Sequence, residues 1–239
     1  MKDSIIIDRR FNGPADSANG GYTSGLLASQ LDAETVEVTL RTPPPLDTPL
    51  TLQRNGATVL AMDGETLIAE ATPSDVDVME DVPAPISYED AVIASIDYQG
   101  YKSHPFPSCV VCGPGREHDG LRLFPGRVRG RDIHAVAWIP EQWTSAGDGV
   151  ASAALVWAVL DCTGGWATDP DPDRPAMLGR ITARLLQPAE VGKRYVVYGW
   201  PIGIEGRKMF SGTALTEASG RLVAAARSTW IRVGADALD

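Results

Sequence analysis

Hydrophobic and polar positions divide the chain into short strand-like runs and three stretches of helical spacing. Runs rich in Val, Thr, Ile and Leu occupy residues 4–11, 35–41, 50–55, 58–62 and 66–72, punctuated by Pro43 to Pro45, Asn55-Gly56 and Asp63-Gly64. Further runs fall at 121–128, 133–138, 180–186, 195–200, 209–215 and 222–233. Helical spacing predicts a helix over 21–31, where Thr23, Leu26, Leu27, Gln30 and Leu31 share a face and Gly25 marks close approach to another backbone. Ser87 with Asp90 forms a capping signature, and Val92, Ile93 and Ile96 give the following helix one apolar face. Residues 150–162 are apolar on most sides, with Gly164-Gly165 as the expected stop.

The second half repeats the order of the first, and the local texts echo one another. Residues 41–52, a strand end, a proline turn and a strand, parallel 184–196, and DGETLIAEAT at 63–72 parallels SGRLVAAARS at 219–228. No helix intervenes between strands within 35–72 or 180–233, which excludes a doubly wound parallel sheet. The class is α+β, with each unit a curved antiparallel sheet wrapping a central helix. An acidic, proline-bearing stretch at 73–85 buries little and separates the units. The expected organisation is an N-terminal unit over 1–85, a linker helix and CxxC loop over 86–119, and a C-terminal unit over 120–239.

Composition narrows the function. The 239 residues are 44% hydrophobic and 22% charged, which fits globular units rather than disorder. Lys plus Arg number 21 against 31 Asp plus Glu, a net charge of −10 that opposes binding to nucleic acid or anionic membranes. The longest apolar run, 153–160, is far short of the roughly 18 residues of a membrane helix. Residues 1–8 carry no apolar stretch of signal-peptide length and have an acidic Asp3, so the expected location is the cytoplasm. Three cysteines build no disulfide framework and fit a reducing compartment.

Several residues could carry chemistry. Asn19, Gly20 and Gly21 open a helix, where glycines permit close approach and first-turn N–H groups lack intrahelical acceptors; equally, Asn19 could simply cap the helix. Asp161 continues the apolar face of Val150, Ala154 and Trp157, and its expected place near a helix C-terminus raises its pKa, as burial would; a partly exposed Asp in the last turn is the plainer reading. His104, Cys109, Cys112 and His118 could be counted as four zinc ligands, but their crowding differs from the usual finger. The preferred reading is a turn with buried thiols and no metal, with Cys162 pointing away from Asp161. Arg116, Arg122, Arg127, Arg129 and Arg131, or Arg207 with Lys208, could hold phosphates or be solvated turn residues. Tyr22, Trp157 and other aromatics could line an apolar pocket or fill the core. No P-loop or dinucleotide-binding glycine motif occurs, and no cofactor is expected.

This order, with NGGY at 19–22 opening a helix, LRTPPPL at 40–46 beginning a hairpin and WAVLDC at 157–162 inside a second helix, resembles the hotdog-fold acyl-CoA thioesterases, and in particular the double-hotdog branch with two units in one chain. The resemblance implies two curved antiparallel sheets joined into one extended sheet. It also implies that Asn19, Gly20 and Gly21 receive the thioester carbonyl while Asp161, from the other unit's helix, serves as base or nucleophile. Tyr22, Trp157, Arg207 and Lys208 are the expected substrate contacts. The sequence departs from the better-described members in lacking a counterpart of the Gln and the Thr or Ser that hold the water. The leading expectation is therefore a thioester hydrolase acting on acyl-CoA or a related thioester, and the alternative a non-catalytic binder of acyl-CoA or another apolar molecule. A hydratase on this scaffold would need His134 in the pocket. The usual two-fold dimer is expected to be built into one chain, as a monomer with an internal pseudo-dimer or a homodimer of it.

Overall fold

A computed structural model describes residues 3–168 and 175–234. Its strands are β1 (Ser4–Ile5), β2 (Thr35–Leu40), β3 (Leu50–Asn55), β4 (Thr58–Asp63), β5 (Thr66–Pro73), β6 (Gly126–Arg127), β7 (His134–Trp138), β8 (Ala176–Leu185), β9 (Tyr195–Glu205), β10 (Lys208–Glu217) and β11 (Leu222–Arg232). Every pairing is antiparallel, and together they make one sheet in the order β1-β3-β4-β5-β2-β8-β11-β10-β9-β7-β6. Read outward from its centre, that order repeats: β2, β5, β4, β3 and β1 on one side answer β8, β11, β10, β9 and β7 on the other. The halves join where β2 meets β8, with Val36 opposite Ala183 and Val38 opposite Ile181.

Two helices lie against the inner face of this sheet. Helix α1 (Gly20–Ala28) is capped by Asn19, and α3 (Ala153–Ala167) by Ser152. Nearly all of α3 is buried, as a helix apolar all round must be. The helices cross closely because α1 offers glycines: a Cβ on Gly25 would stand 2.6 Å from Ala154 Cα, and one on Gly21 2.8 Å from Ala158 Cα. The main core gathers Leu27, Val38, Trp157, Leu160 and Ile181 between helices and sheet. Burying Trp157 alone removes roughly 150–250 Å² from water, worth about 4–6 kcal/mol as an upper bound.

A third helix, α2 (Tyr88–Ile96), covers the outer face of the C-terminal strands, where Ile86, Ala91 and Ala94 meet Val128, Ala135, Val196 and Tyr198. Its orientation reverses the sequence expectation. Val92, Ile93 and Ile96 are 46%, 62% and 72% exposed, because a strand glycine admits only small side chains: a Cβ on Gly126 would stand 1.8 Å from the Ala94 carbonyl oxygen.

Other boundaries differ: α1 ends at Ala28 rather than 31, β8 begins at Ala176 rather than 180, and β9 runs on to Glu205 rather than 200. The run 4–11 leaves the sheet after Ile5, because Asp8 caps a 3-10 turn at Arg9–Phe11. The run 121–128 contributes only Gly126–Arg127, since Leu121 and Leu123 donate their N–H groups to Val110 and Val111 in the CxxC loop and Arg122 adopts a left-handed φ of 53°. Gly164 and Gly165 do not stop α3. They let it lie on the sheet, where a Cβ would stand 2.9 Å from Ser211 Oγ and 2.9 Å from the Trp230 ring respectively.

Candidate active site between the two central helices

The N-terminus of α1 points at the middle of α3. Asn19 accepts the Tyr22 N–H through its side chain at 2.8 Å, which orients the first turn. Asp161 stands nine residues after the Ser152 cap, and its Oδ2 accepts the Gly21 N–H at 2.8 Å. The contact is possible only because residue 21 lacks a side chain, since a Cβ there would lie 2.3 Å from Asp161 Cβ. The carboxyl is buried, and Oδ1 has no hydrogen-bond partner among the described residues. Burial pushes the Asp161 pKa up to about 7, against the opposing pull of the Gly21 hydrogen bond. The dipole at a helix C-terminus, expected from the Gly164-Gly165 pair, is not the cause, because α3 continues to Ala167.

A cavity of about 380 Å³ opens beside this contact, within the usual range for small-molecule sites. Asn19, Gly20 and Asp161 line it, together with apolar walls from Leu40, Pro43, Phe106, Leu178, Trp230 and Ile231. Gly20 is the first residue of α1, so its N–H has no intrahelical acceptor. Gly21 is absent from the wall, and its N–H is engaged by Asp161.

The expected substrate contacts lie elsewhere. Tyr22 stacks on Phe11 with ring centroids 4.0 Å apart. Trp157 is buried against Gly25 between the helices. Arg207 and Lys208 are exposed at the β9–β10 turn, outside the cavity wall. The wall's arginine is Arg41, at the end of β2 and ion-paired with Glu70. LRTPPPL marks this corner, but which way Arg41 faces depends on β5, where Glu70 sits. His134 lies on β7, and the imidazole on the wall is that of His104, whose Nδ1 accepts the Phe106 N–H at 2.8 Å and whose pKa burial lowers.

Two other candidate groups resolve differently. His118 is exposed beside Glu117, so His104, Cys109, Cys112 and His118 do not form a quartet; Cys162 from α3 joins the CxxC thiols instead. Arg116 pairs with Asp119 and donates to the Arg10 carbonyl and to Asn12 Oδ1, Arg122 donates to the Arg116 carbonyl, and Arg131 to the Ala84 carbonyl, so these cations fasten loops. Among the described residues no helix is long and apolar enough to cross a membrane.

The Gly21–Asp161 contact is not repeated at the equivalent positions of the two helices, despite the repeated architecture. Nine residues after the Asn19 cap, where α3 carries Asp161, α1 carries Ala28, and the position equivalent to Gly21 is Ala154.

No family model and no curated protein matches the sequence. Solved structures do match. The tesB protein of Mycobacterium avium subs paratuberculosis superposes with a TM-score of 0.58 at 15% identity over 92% of this chain and 89% of that one. A thioesterase from Novosphingobium aromaticivorans, described as putative in its name, gives 0.56 at 13% identity over 97% and 95%. Likeness at this identity is likeness of fold, and with the eleven-stranded sheet and two inner helices it establishes a double-hotdog fold.

Proposed function

We propose that this double hotdog hydrolyses an acyl thioester, with acyl-CoA as the substrate class, at one site per chain. The observation that carries the reading is the buried Asp161 carboxyl, fixed across the helix interface by the Gly21 N–H, on a residue that lines a largely apolar cavity. Acyl transfer needs a base or nucleophile at the carbonyl carbon and hydrogen-bond donors where the oxyanion develops. Asp161 Oδ1 would take a proton from water as it attacks. The Gly20 N–H, at the positive end of α1, would receive the oxyanion, because the Gly21 N–H is already used. The acyl chain would lie along Leu178, Trp230 and Ile231, and Arg41 would meet a phosphate of the coenzyme at the wall. One of the two structural neighbours that cover nearly the whole chain is named a thioesterase, which supports thioester hydrolysis.

The engaged Gly21 N–H also favours a second reading, a binder of acyl-CoA that does not turn it over. Thiol release measured across an acyl-CoA chain-length panel separates the two. Hydrolysis predicts turnover that falls by about tenfold to a hundredfold or more in Asp161→Asn, which keeps an acceptor for Gly21. Thermal stabilisation by acyl-CoA with no thiol release from the unaltered protein would instead establish the binder.

A further inference from the structure

Three thiols that are distant in sequence converge beside the cavity. Cys109 and Cys112 come from the loop before β6, and Cys162 from α3; their sulfurs all lie within 4.8 Å of one another, with Cys109 and Cys162 3.7 Å apart. All three residues are buried and all three line the cavity. Four sulfurs around zinc at about 2.3 Å form a tetrahedron with edges of about 3.8 Å, which the Cys109–Cys162 separation of 3.7 Å matches, and the third sulfur lies within 4.8 Å of both.

The surroundings are built for sulfur that carries charge. The Asn19 amide points its Nδ2 at Cys162 Sγ, 3.5 Å away, and at Cys109 Sγ, 3.9 Å away. The turn is tightened around Cys109 by Gly113, whose N–H donates to the Cys109 carbonyl at 3.0 Å; a Cβ on Gly113 would stand 2.5 Å from the Cys109 nitrogen. Tyr98 anchors the same turn from below, its hydroxyl donating to the Cys112 carbonyl at 2.9 Å.

We infer that Cys109, Cys112 and Cys162 form a binding site for one zinc ion, with the fourth coordination position turned toward the cavity. The site stands independently of the thioester reading. It ties the CxxC loop to α3 and leaves an open position for a ligand from the cavity, an arrangement of three protein ligands typical of reactive rather than purely structural zinc. Binding would release the remaining thiol protons to solvent.

The test is metal content and ligand spectroscopy on the full chain. Protein prepared with zinc and passed over a chelating resin is expected to retain one zinc per chain. Cys112→Ser and Cys162→Ser should each lower retained zinc by at least about tenfold, with far-UV circular dichroism confirming the fold. Cobalt added to the zinc-free, unaltered chain should produce near-ultraviolet thiolate-to-cobalt charge transfer and intense visible bands of tetrahedral geometry. That spectrum does not depend on a variant folding. Its absence, or zinc retention equal to the parent in both serine variants, would overturn the site.

Discussion

Glycine at position 21 decides whether the acid of α3 can meet the turn of α1. Any side chain there would collide with Asp161 Cβ and with the Trp157 carbonyl oxygen, 2.3 and 2.7 Å from the added atom. Both are fixed parts of α3, so neither can move aside cheaply. Gly21→Ala is therefore expected to destabilise the protein by about 1–3 kcal/mol, read as a lower denaturation midpoint at unchanged slope in urea. A midpoint equal to the parent would mean that the helices are not held at this separation. Asp161 could be picked out of the sequence because it ends an apolar run, and Asn19-Gly20-Gly21 because that trio suits a helix start. The sulfur cluster could not, since Cys162 joins Cys109 from 53 residues away and spacing along the chain carries no sign of it.

Among the elements, β2 to β5 follow hydrophobic run length and turn residues closely, because Pro43 to Pro45, Asn55-Gly56 and Asp63-Gly64 mark their ends. Helix α2 does not. Its three largest aliphatic side chains define the stronger stripe by pattern, yet the helix sits on Gly126 and can approach only through Ala91 and Ala94. Steric fit against the strand thus overrides periodicity. The consequence is measurable: Ile93→Lys should change stability by no more than about 0.5 kcal/mol, as an exposed substitution does. Gly126→Ala should cost more than about 1 kcal/mol, because its methyl would overlap the Ala94 carbonyl. Urea midpoints in the reverse order would return Val92, Ile93 and Ile96 to an interface. The run 121–128 was unreadable for a related reason, since its backbone partners are Val110 and Val111 rather than a neighbouring strand.

At the scale of the whole molecule, the pseudo-two-fold order of the sheet was foreshadowed by the repeated texts at 41–52 and 184–196, which run from the ends of β2 and β8 into β3 and β9; neither is the hairpin that LRTPPPL suggested, because β2 does not pair with β3, nor β8 with β9. What repetition conceals is asymmetry. Ala28 and Ala154 stand where a second acid and a second permissive glycine would be required, so duplication of the fold did not duplicate the proposed chemistry. In a chain of net charge −10, the arginine on the cavity wall is Arg41, which Glu70 holds by an ion pair. The most direct measurement is a crystal structure of Asp161→Asn with an acyl-CoA ketone analogue, in which a methylene replaces the thioester sulfur. The account predicts one analogue per chain, its carbonyl oxygen within hydrogen-bond reach of the Gly20 N–H and its acyl chain along Leu178 and Ile231. An analogue bound away from that cavity, or a second one at the Ala28 side of the helix pair, would contradict it.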